Sequence, residues 1–228
     1  MFRSIIFFLA NIFLALFLVN SSYYIFAQMT PYTGQPIPGI NPAAQWAGFP
    51  GEPVAGNYQP VKINAPEGTQ IAFAVQNRFV ERVKSPYLVG LLLGANYRLR
   101  ITDIKLHPGK ELFPSVTILQ RTYPPRGKEL EYPIQIDLTQ EDLELALSGR
   151  FVTRVIYLEN PQNALPIRGD LGQQPTTEAR AGEDPLQIAY NLGKPVAVIQ
   201  LGGRAPASSG YVEPFFFHGS PPLIQLKK

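Results

Sequence analysis

Five arginines lie on or just after segments that are predicted to be strands: Arg98, Arg100, Arg121, Arg154 and Arg204. An arginine guanidinium presents five N–H donors in one plane, which matches the oxygens of carboxylate and phosphate groups. Arg98 and Arg100 are two residues apart, so they share one face of a strand. If neighbouring strands bring the other three alongside, the five form a ligand-binding stripe for an anionic glycan, phosphate groups or an acidic partner. The more common alternative is pairing with carboxylates such as Asp103, Glu131 and Glu159.

A second group of residues has the chemistry of a metal site. His107, Asp103 and Glu111 place one imidazole and two carboxylates within nine residues. Metal sites need three or more ligands in convergent geometry, however, and Pro108 and Gly109 make the segment after His107 a turn. We therefore interpret His107 as a turn residue, and we predict neither a metal nor a cofactor.

The sequence contains no motif that is typical of an enzyme. It has two histidines, His107 and His218, and no Gly-x-Ser-x-Gly motif around a serine nucleophile. Gly202 and Gly203 follow a predicted strand, but no helix pattern opens after them, as a phosphate-binding loop requires. Three carboxylates, Glu141, Asp142 and Glu144, match the acidic first turn of a helix. A hydrolase that uses paired carboxylates stays an alternative, and no catalytic residue is predicted.

The C-terminal segment 205–228 is rich in Pro, Ser and Gly and is predicted to be a flexible tail. Its exception is the run Phe215, Phe216 and Phe217. Exposed apolar clusters usually bind something, so these residues are candidates for docking a partner. The equal alternative is that they fold back onto an apolar groove of the same domain.

The clearest structural unit is residues 137–159. Thr139 is predicted to cap a helix with Asp142 three residues later, and Gly149 is placed to end that helix in the left-handed conformation. Residues 151–158 follow as a strand whose apolar residues point to both faces, which indicates a central strand covered on both sides. The same order recurs later, where Asp184 caps a second helix, Gly193 ends it and residues 195–201 form a strand.

Period-two alternation predicts further strands at residues 71–75, 97–104, 116–121 and 134–138, and an apolar run predicts one at 88–93. About seven short strands and only two helices favour a mainly β domain over a parallel doubly wound sheet. We predict an antiparallel β-sandwich or rolled sheet with two short helices, over residues 61–204. The alternative is an α+β layer fold.

The N-terminus predicts export. Arg3 precedes an apolar run from Ile5 to Val19, and the small residue Ala27 is a suitable cleavage site, so residues 1–27 are predicted to be a signal peptide; an uncleaved membrane anchor is the alternative. Residues 28–60 are a Pro- and Gly-rich linker. The absence of cysteine fits a bacterial periplasm or cell surface. A net charge of +3 does not indicate a nucleic-acid partner.

Several motifs are long enough to carry a resemblance: residues 97–104, 107–114, 138–147 with 151–159, and 184–204. Over about residues 86–204 the chain resembles a family of exported, signal-peptide-bearing proteins of planctomycete bacteria. The resemblance implies an exported location and imports no catalytic residue.

Taken together, these features predict a non-catalytic binding or structural module of the cell envelope that contacts a protein or glycan partner. The alternatives are the carboxylate-dependent hydrolase and an anion-binding accessory domain that uses the strand arginines.

Overall fold

The computed structural model describes residues 58–162, 174–180, 182–206, 216–218 and 220–226, together with the backbone of residues 2–8. The strands are β1 (Phe2–Phe8), β2 (Tyr58–Asn64), β3 (Gln70–Val75), β4 (Arg78–Phe79), β5 (Val83–Lys84), β6 (Tyr87–Leu92), β7 (Asn96–Thr102), β8 (Ser115–Ile118), β9 (Ile134–Asp137), β10 (Val152–Glu159), β11 (Thr176–Ala179), β12 (Gly193–Leu201) and β13 (Leu223–Gln225). The helices are α1 (Gln140–Leu147) and α2 (Pro185–Leu192).

These strands form two sheets. The larger follows the order β11-β1-β10-β12-β8-β7-β3-β4, with β5 also paired to β3, and the smaller follows β13-β6-β2-β9. Most neighbours are antiparallel, whereas β1 with β11 and β2 with β9 are parallel. The predicted mainly β sandwich with two short helices is confirmed.

The main core lies between the two sheets. Alternate residues of β7, namely Tyr97, Leu99 and Ile101, are fully buried in it, as the period of two predicts. The small sheet contributes residues such as Val61 and Ile134 to the same cluster. The opposite face of β7, which carries Arg98 and Arg100, is therefore the outer face of the large sheet.

Helix α1 begins and ends where the sequence predicts. Thr139 accepts a hydrogen bond from the backbone N–H of Asp142, and the Asp142 carboxylate accepts one from the Thr139 N–H, which completes a capping box. Gly149 follows the helix with a φ of +86°, a conformation that glycine adopts without steric cost. Leu143 and Ala146 enter the main core, so α1 covers one part of the sandwich.

Strand β10 is covered on both faces, as predicted. Its Val152 and Ile156 belong to the main core, whereas Val155 and Tyr157 pack with Ala189 of α2 in a second cluster. Helix α2 thus lies on the outer face of the large sheet. Its C-terminal Gly193 permits a close approach, because an added Cβ would lie 2.0 Å from the Leu158 carbonyl oxygen.

Both ends of the chain depart from the sequence-based domain boundaries. Strand β2 begins at Tyr58, three residues before the predicted start of the domain, and the rest of the predicted linker, 28–57, lies outside the described residues. The predicted signal peptide contributes β1, whose backbone pairs antiparallel with β10. The predicted flexible tail contributes β13, which pairs with β6. Within the described residues, no helix has the length and apolar character needed to cross a membrane.

Candidate functional site: a cationic pocket on the large sheet

A pocket of about 380 Å3 lies on the outer face of the large sheet, beside the C-terminal segment. We call it the Arg98–Arg204 pocket, and its lining residues are Asn96, Arg98, Phe113, Ser115, Phe151, Gln200, Gly202, Gly203, Arg204 and His218. Strand register assembles its floor: Arg98 of β7 is opposite Ser115 of β8, and Ser115 is opposite Gln200 of β12. Three consecutive strands thus place three polar side chains in one row across the sheet.

Arg98 is the most buried charged group of this pocket, with 5% of its surface exposed. Its Nε donates to the Phe216 carbonyl at 2.9 Å, its Nη1 to the Phe113 carbonyl at 2.7 Å, and its Nη2 to His218 Nε2 at 2.7 Å. These bonds use three of the five guanidinium N–H groups. No carboxylate of the described residues forms a salt bridge with it, so its charge is balanced only by dipoles.

The pKa values at this site reflect the crowding of positive charge. Burial, followed by the charge of Arg204, lowers the pKa of Arg98 to about 10, so this side chain stays protonated at neutral pH. Burial and then the charges of Arg98 and Arg204 lower the pKa of His218 to about 4. Because a guanidinium has no acceptor atom, His218 Nε2 must accept the hydrogen bond from Arg98 Nη2. The imidazole is therefore neutral and carries its hydrogen on Nδ1.

Arg204 supplies the second positive charge of the pocket. It is exposed and follows β12 by three residues. Among the residues that the structure describes, no carboxylate lies within salt-bridge distance of it, and the pocket lining contains neither Asp nor Glu. Two guanidinium groups therefore face one concave site without an acidic side chain between them.

Two further features of the lining concern groups other than charges. The Asn96 side-chain oxygen is buried and has no hydrogen-bond partner among the described residues. Phe151 is 44% exposed as a whole residue. Gly202 lies directly against its ring, since an added Cβ would come within 2.8 Å of Phe151 Cδ2.

The other three arginines of the predicted stripe lie elsewhere. Arg100 forms a bidentate surface ion pair with Glu111. Arg154 is buried, with Nη2 3.0 Å from the Asp142 carboxylate and Nη1 donating to the Asp137 carbonyl. Arg121 lines a separate, smaller pocket. The structure therefore unites Arg98 with Arg204, and it assigns structural ion pairs to Arg100 and Arg154.

The residues considered for a metal site or a carboxylate-dependent hydrolase do not come together in one site. Glu111 is engaged by Arg100, and His107 Nε2 lies 4.0 Å from Glu144 rather than in a ring of ligands. No group of three potential metal-ligating side chains occurs in the described part of the chain. Asp142 is fully buried and accepts hydrogen bonds from Thr139 and Arg154, so its carboxylate has a structural role.

Phe216 and Phe217 fold back onto the domain instead of standing free for a partner. Both are buried in an aromatic cluster with Phe79 and Phe113, and the Phe216 ring lies 4.9 Å from the Arg98 guanidinium carbon. A cation above an aromatic face is a favourable contact. Of the three proposed docking residues, Phe215 lies outside the described residues.

Sequence reasoning missed Asn96, Ser115, Phe151, Gln200 and His218 as site residues. Asn96 and Arg98 are two residues apart in one strand, so their side chains lie on the same face. This spacing could have identified Asn96 as a neighbour of Arg98 from the sequence. The row of Arg98, Ser115 and Gln200 depends on which strands are neighbours, and that information is absent from local pattern. His218 lies in a segment whose composition indicates a tail.

Comparison of the chain with protein-family models, with curated proteins and with solved structures finds no match. The function must therefore be inferred from the residues of the site.

Proposed function

We propose that this protein is an exported, non-catalytic binding module of the cell envelope that holds an anionic group of its ligand in the Arg98–Arg204 pocket. The observation that carries this proposal is the buried Arg98 guanidinium, which lacks a carboxylate partner among the described residues and shares its pocket with a second unpaired arginine.

Desolvation makes a buried, unpaired guanidinium energetically costly. A buried cation loses its hydration and is normally paired with an anion, because dipoles alone replace that hydration incompletely. Burial lowers the pKa of Arg98, and repulsion from the neighbouring Arg204 lowers it further. A bound oxyanion would remove both penalties, and two N–H groups of Arg98 remain to donate to it.

Binding fits this pocket better than catalysis does. A hydrolytic site needs a nucleophile beside a base, or two carboxylates. Ser115 and His218 both line the pocket, but no hydrogen bond joins them in the described structure, and His218 Nε2 is already occupied by Arg98. The protein would therefore recognise its ligand without transforming it.

The location belongs to the proposal as well. A charged N-terminus, the apolar run from Ile5 to Val19 and the absence of cysteine favour export to the periplasm or cell surface. In that location a glycan or a protein of the envelope is the expected source of the anionic group.

Sulfate is a suitable probe, because its charge is constant between pH 4 and 8. We expect calorimetric titration of the full chain with sulfate to show saturable binding that weakens as sodium chloride is raised, since salt screens the attraction. Arg204→Gln should weaken binding about tenfold or more, because a hydrogen bond to a charged group contributes about 1.5 to 3 kcal/mol.

The matched control is Arg121→Gln, which removes an arginine from a different pocket and should leave sulfate binding unchanged. Absence of saturable binding, or equal losses in the two variants, would overturn the proposal.

A further inference from the structure

We infer that the ligand of the Arg98–Arg204 pocket is an anionic sugar, either a uronic acid or a sugar phosphate, with its charge on the arginines and its ring on Phe151. This inference rests on the proposed anion-binding function and adds the class of molecule that carries the anion. It follows from three features of the pocket lining with which a simple oxyanion would not interact.

The first feature is the Asn96 side-chain oxygen. It is buried and has no donor among the described residues, which is a costly state for a polar atom. An amide oxygen can only accept, so a ligand that satisfied this atom would have to donate an O–H or N–H group to it. Carboxylate and sulfate groups offer no such donor, whereas a sugar ring carries several hydroxyl groups.

The second feature is the Phe151 ring, an exposed aromatic group on the lining of a cationic pocket. The ring lies close to Gly202, which has no side chain to separate the two, and 44% of the residue remains exposed. The face of an aromatic ring is electron-rich, and the C–H groups on one face of a pyranose are weakly positive. A sugar ring is therefore well suited to stack on Phe151.

The third feature is the polar row that continues from Arg98 across the sheet. Ser115 and Gln200 are cross-strand neighbours on the floor of the pocket, and each can both donate and accept. Hydroxyl groups have the same dual character. A pocket of about 380 Å3 also falls within the size range of small-molecule sites, roughly 300 to 1,000 Å3, and leaves most of its space unfilled by one oxyanion.

The test compares matched ligands on the full chain by calorimetric titration. D-glucuronate and D-galacturonate are measured against acetate, glucose 6-phosphate against inorganic phosphate, and neutral glucose alone. We expect at least one anionic sugar to bind ten times more tightly than its matched simple anion, and glucose to show no saturable binding. Which pair shows the gain distinguishes a carboxylate from a phosphate ligand.

Variants separate the two contributions. Phe151→Ala should remove the gain in affinity of the sugar over its matched simple anion, measured in the same variant, while Phe151→Tyr should retain that gain. If sulfate binds but no anionic sugar exceeds its matched anion, or if Phe151→Ala leaves the gain intact, the sugar inference is wrong and the proposed function stands. If neither sulfate nor any anionic sugar binds, both are wrong.

Discussion

At the scale of single residues, the same arginine side chain has three different roles in this protein. Arg154 is buried against Asp142, Arg100 pairs with Glu111 at the surface, and Arg98 is buried without a carboxylate partner among the described residues. Arg98 and Arg100 are two residues apart in β7, so they lie on the same face of the strand. The groups that each one contacts depend on which segment covers that part of the face. Only Arg98 lies beneath the Phe216–His218 segment and so becomes part of a pocket.

The Arg154–Asp142 pair is expected to be essential for stability. Asp142→Asn leaves a guanidinium that is 2% exposed without its counter-charge, which costs about 3 to 5 kcal/mol for a buried pair. Glu141→Gln is the control, because Glu141 is an exposed neighbour in the same helical turn, and its unfolding free energy should change by less than about 0.5 kcal/mol. Urea unfolding measures both, and equal stabilities would contradict the role assigned to the pair.

His218 should make the docking of the C-terminal segment sensitive to pH. Its folded pKa of about 4 lies below the unfolded value of 6.5, so the unfolded state binds the proton more readily. This contribution to stability is complete above pH 6.5 and is lost as the pH falls toward 4. Protonation also removes the acceptor for Arg98 and adds a third positive charge. Thermal unfolding between pH 7 and 4 should show the decline, and His218→Gln, which keeps an acceptor without titrating, should show less of it.

Sulfate should reverse part of that decline. An anion in the pocket favours the charged imidazole, so binding raises the pKa of His218 and takes up a proton below pH 6.5. The gain in melting temperature from sulfate should therefore be larger at pH 5 than at pH 7 in the natural chain, and nearly equal at the two pH values in His218→Gln. A gain in the natural chain that does not depend on pH would place sulfate away from His218.

At the scale of elements, the C-terminal segment has the most unexpected role. Composition predicts a flexible tail, yet the described residues 216–218 and 220–226 contribute two core phenylalanines, a carbonyl that accepts from Tyr97 Oη at 2.8 Å, and strand β13. The role of Phe216 and Phe217 becomes clear only in the structure, where they pack against Phe79 and Phe113. Because the segment also supplies His218 and the Phe216 carbonyl, it positions the site and is part of the fold.

Phe216→Ala is expected to destabilise the domain by about 3 to 5 kcal/mol, because it removes a buried ring from a packed cluster. Ile224→Ala in β13 is the control, since Ile224 is 42% exposed and its loss should cost little. Chemical denaturation of the two variants gives the comparison. A Phe216 variant as stable as the Ile224 variant would restore the interpretation of residues 205–228 as a flexible tail.

At the scale of the whole molecule, the predicted role of the N-terminus differs from its place in the structure. The sequence of residues 1–27 predicts a signal peptide, whereas the backbone of Phe2–Phe8 pairs with β10 and β11 in the structure. Export with cleavage would remove β1 and leave β10 paired only with β12. The described side chains of β10 pack against residues of the main core and of α2 that cleavage would retain.

A chain of residues 28–228 is therefore expected to fold cooperatively, with a lower melting temperature than the full chain because one neighbour of β10 is missing. Circular dichroism during thermal unfolding measures this, and N-terminal sequencing of protein recovered from the cell envelope should begin near Gln28. If residues 28–228 show no cooperative transition, β1 is an integral strand and the signal-peptide interpretation is wrong.

Local sequence by itself determined several elements of this protein. The capping box at Thr139, the stop at Gly149, the two-sided burial of β10 and the alternation in β7 all depend on neighbours within a few residues, which is the range of backbone sterics and side-chain periodicity. The mainly β class followed from the number of such segments.

Only the tertiary structure decided which elements meet. The row of Arg98, Ser115 and Gln200 joins residues distant in the chain through strand order, and His218 reaches Arg98 from 120 residues away. Strand order is set by long-range burial of many side chains at once, and no local pattern encodes it. For that reason sequence analysis could only include Arg98 and Arg204 among five candidate arginines. The tertiary structure shows that these two line the same pocket.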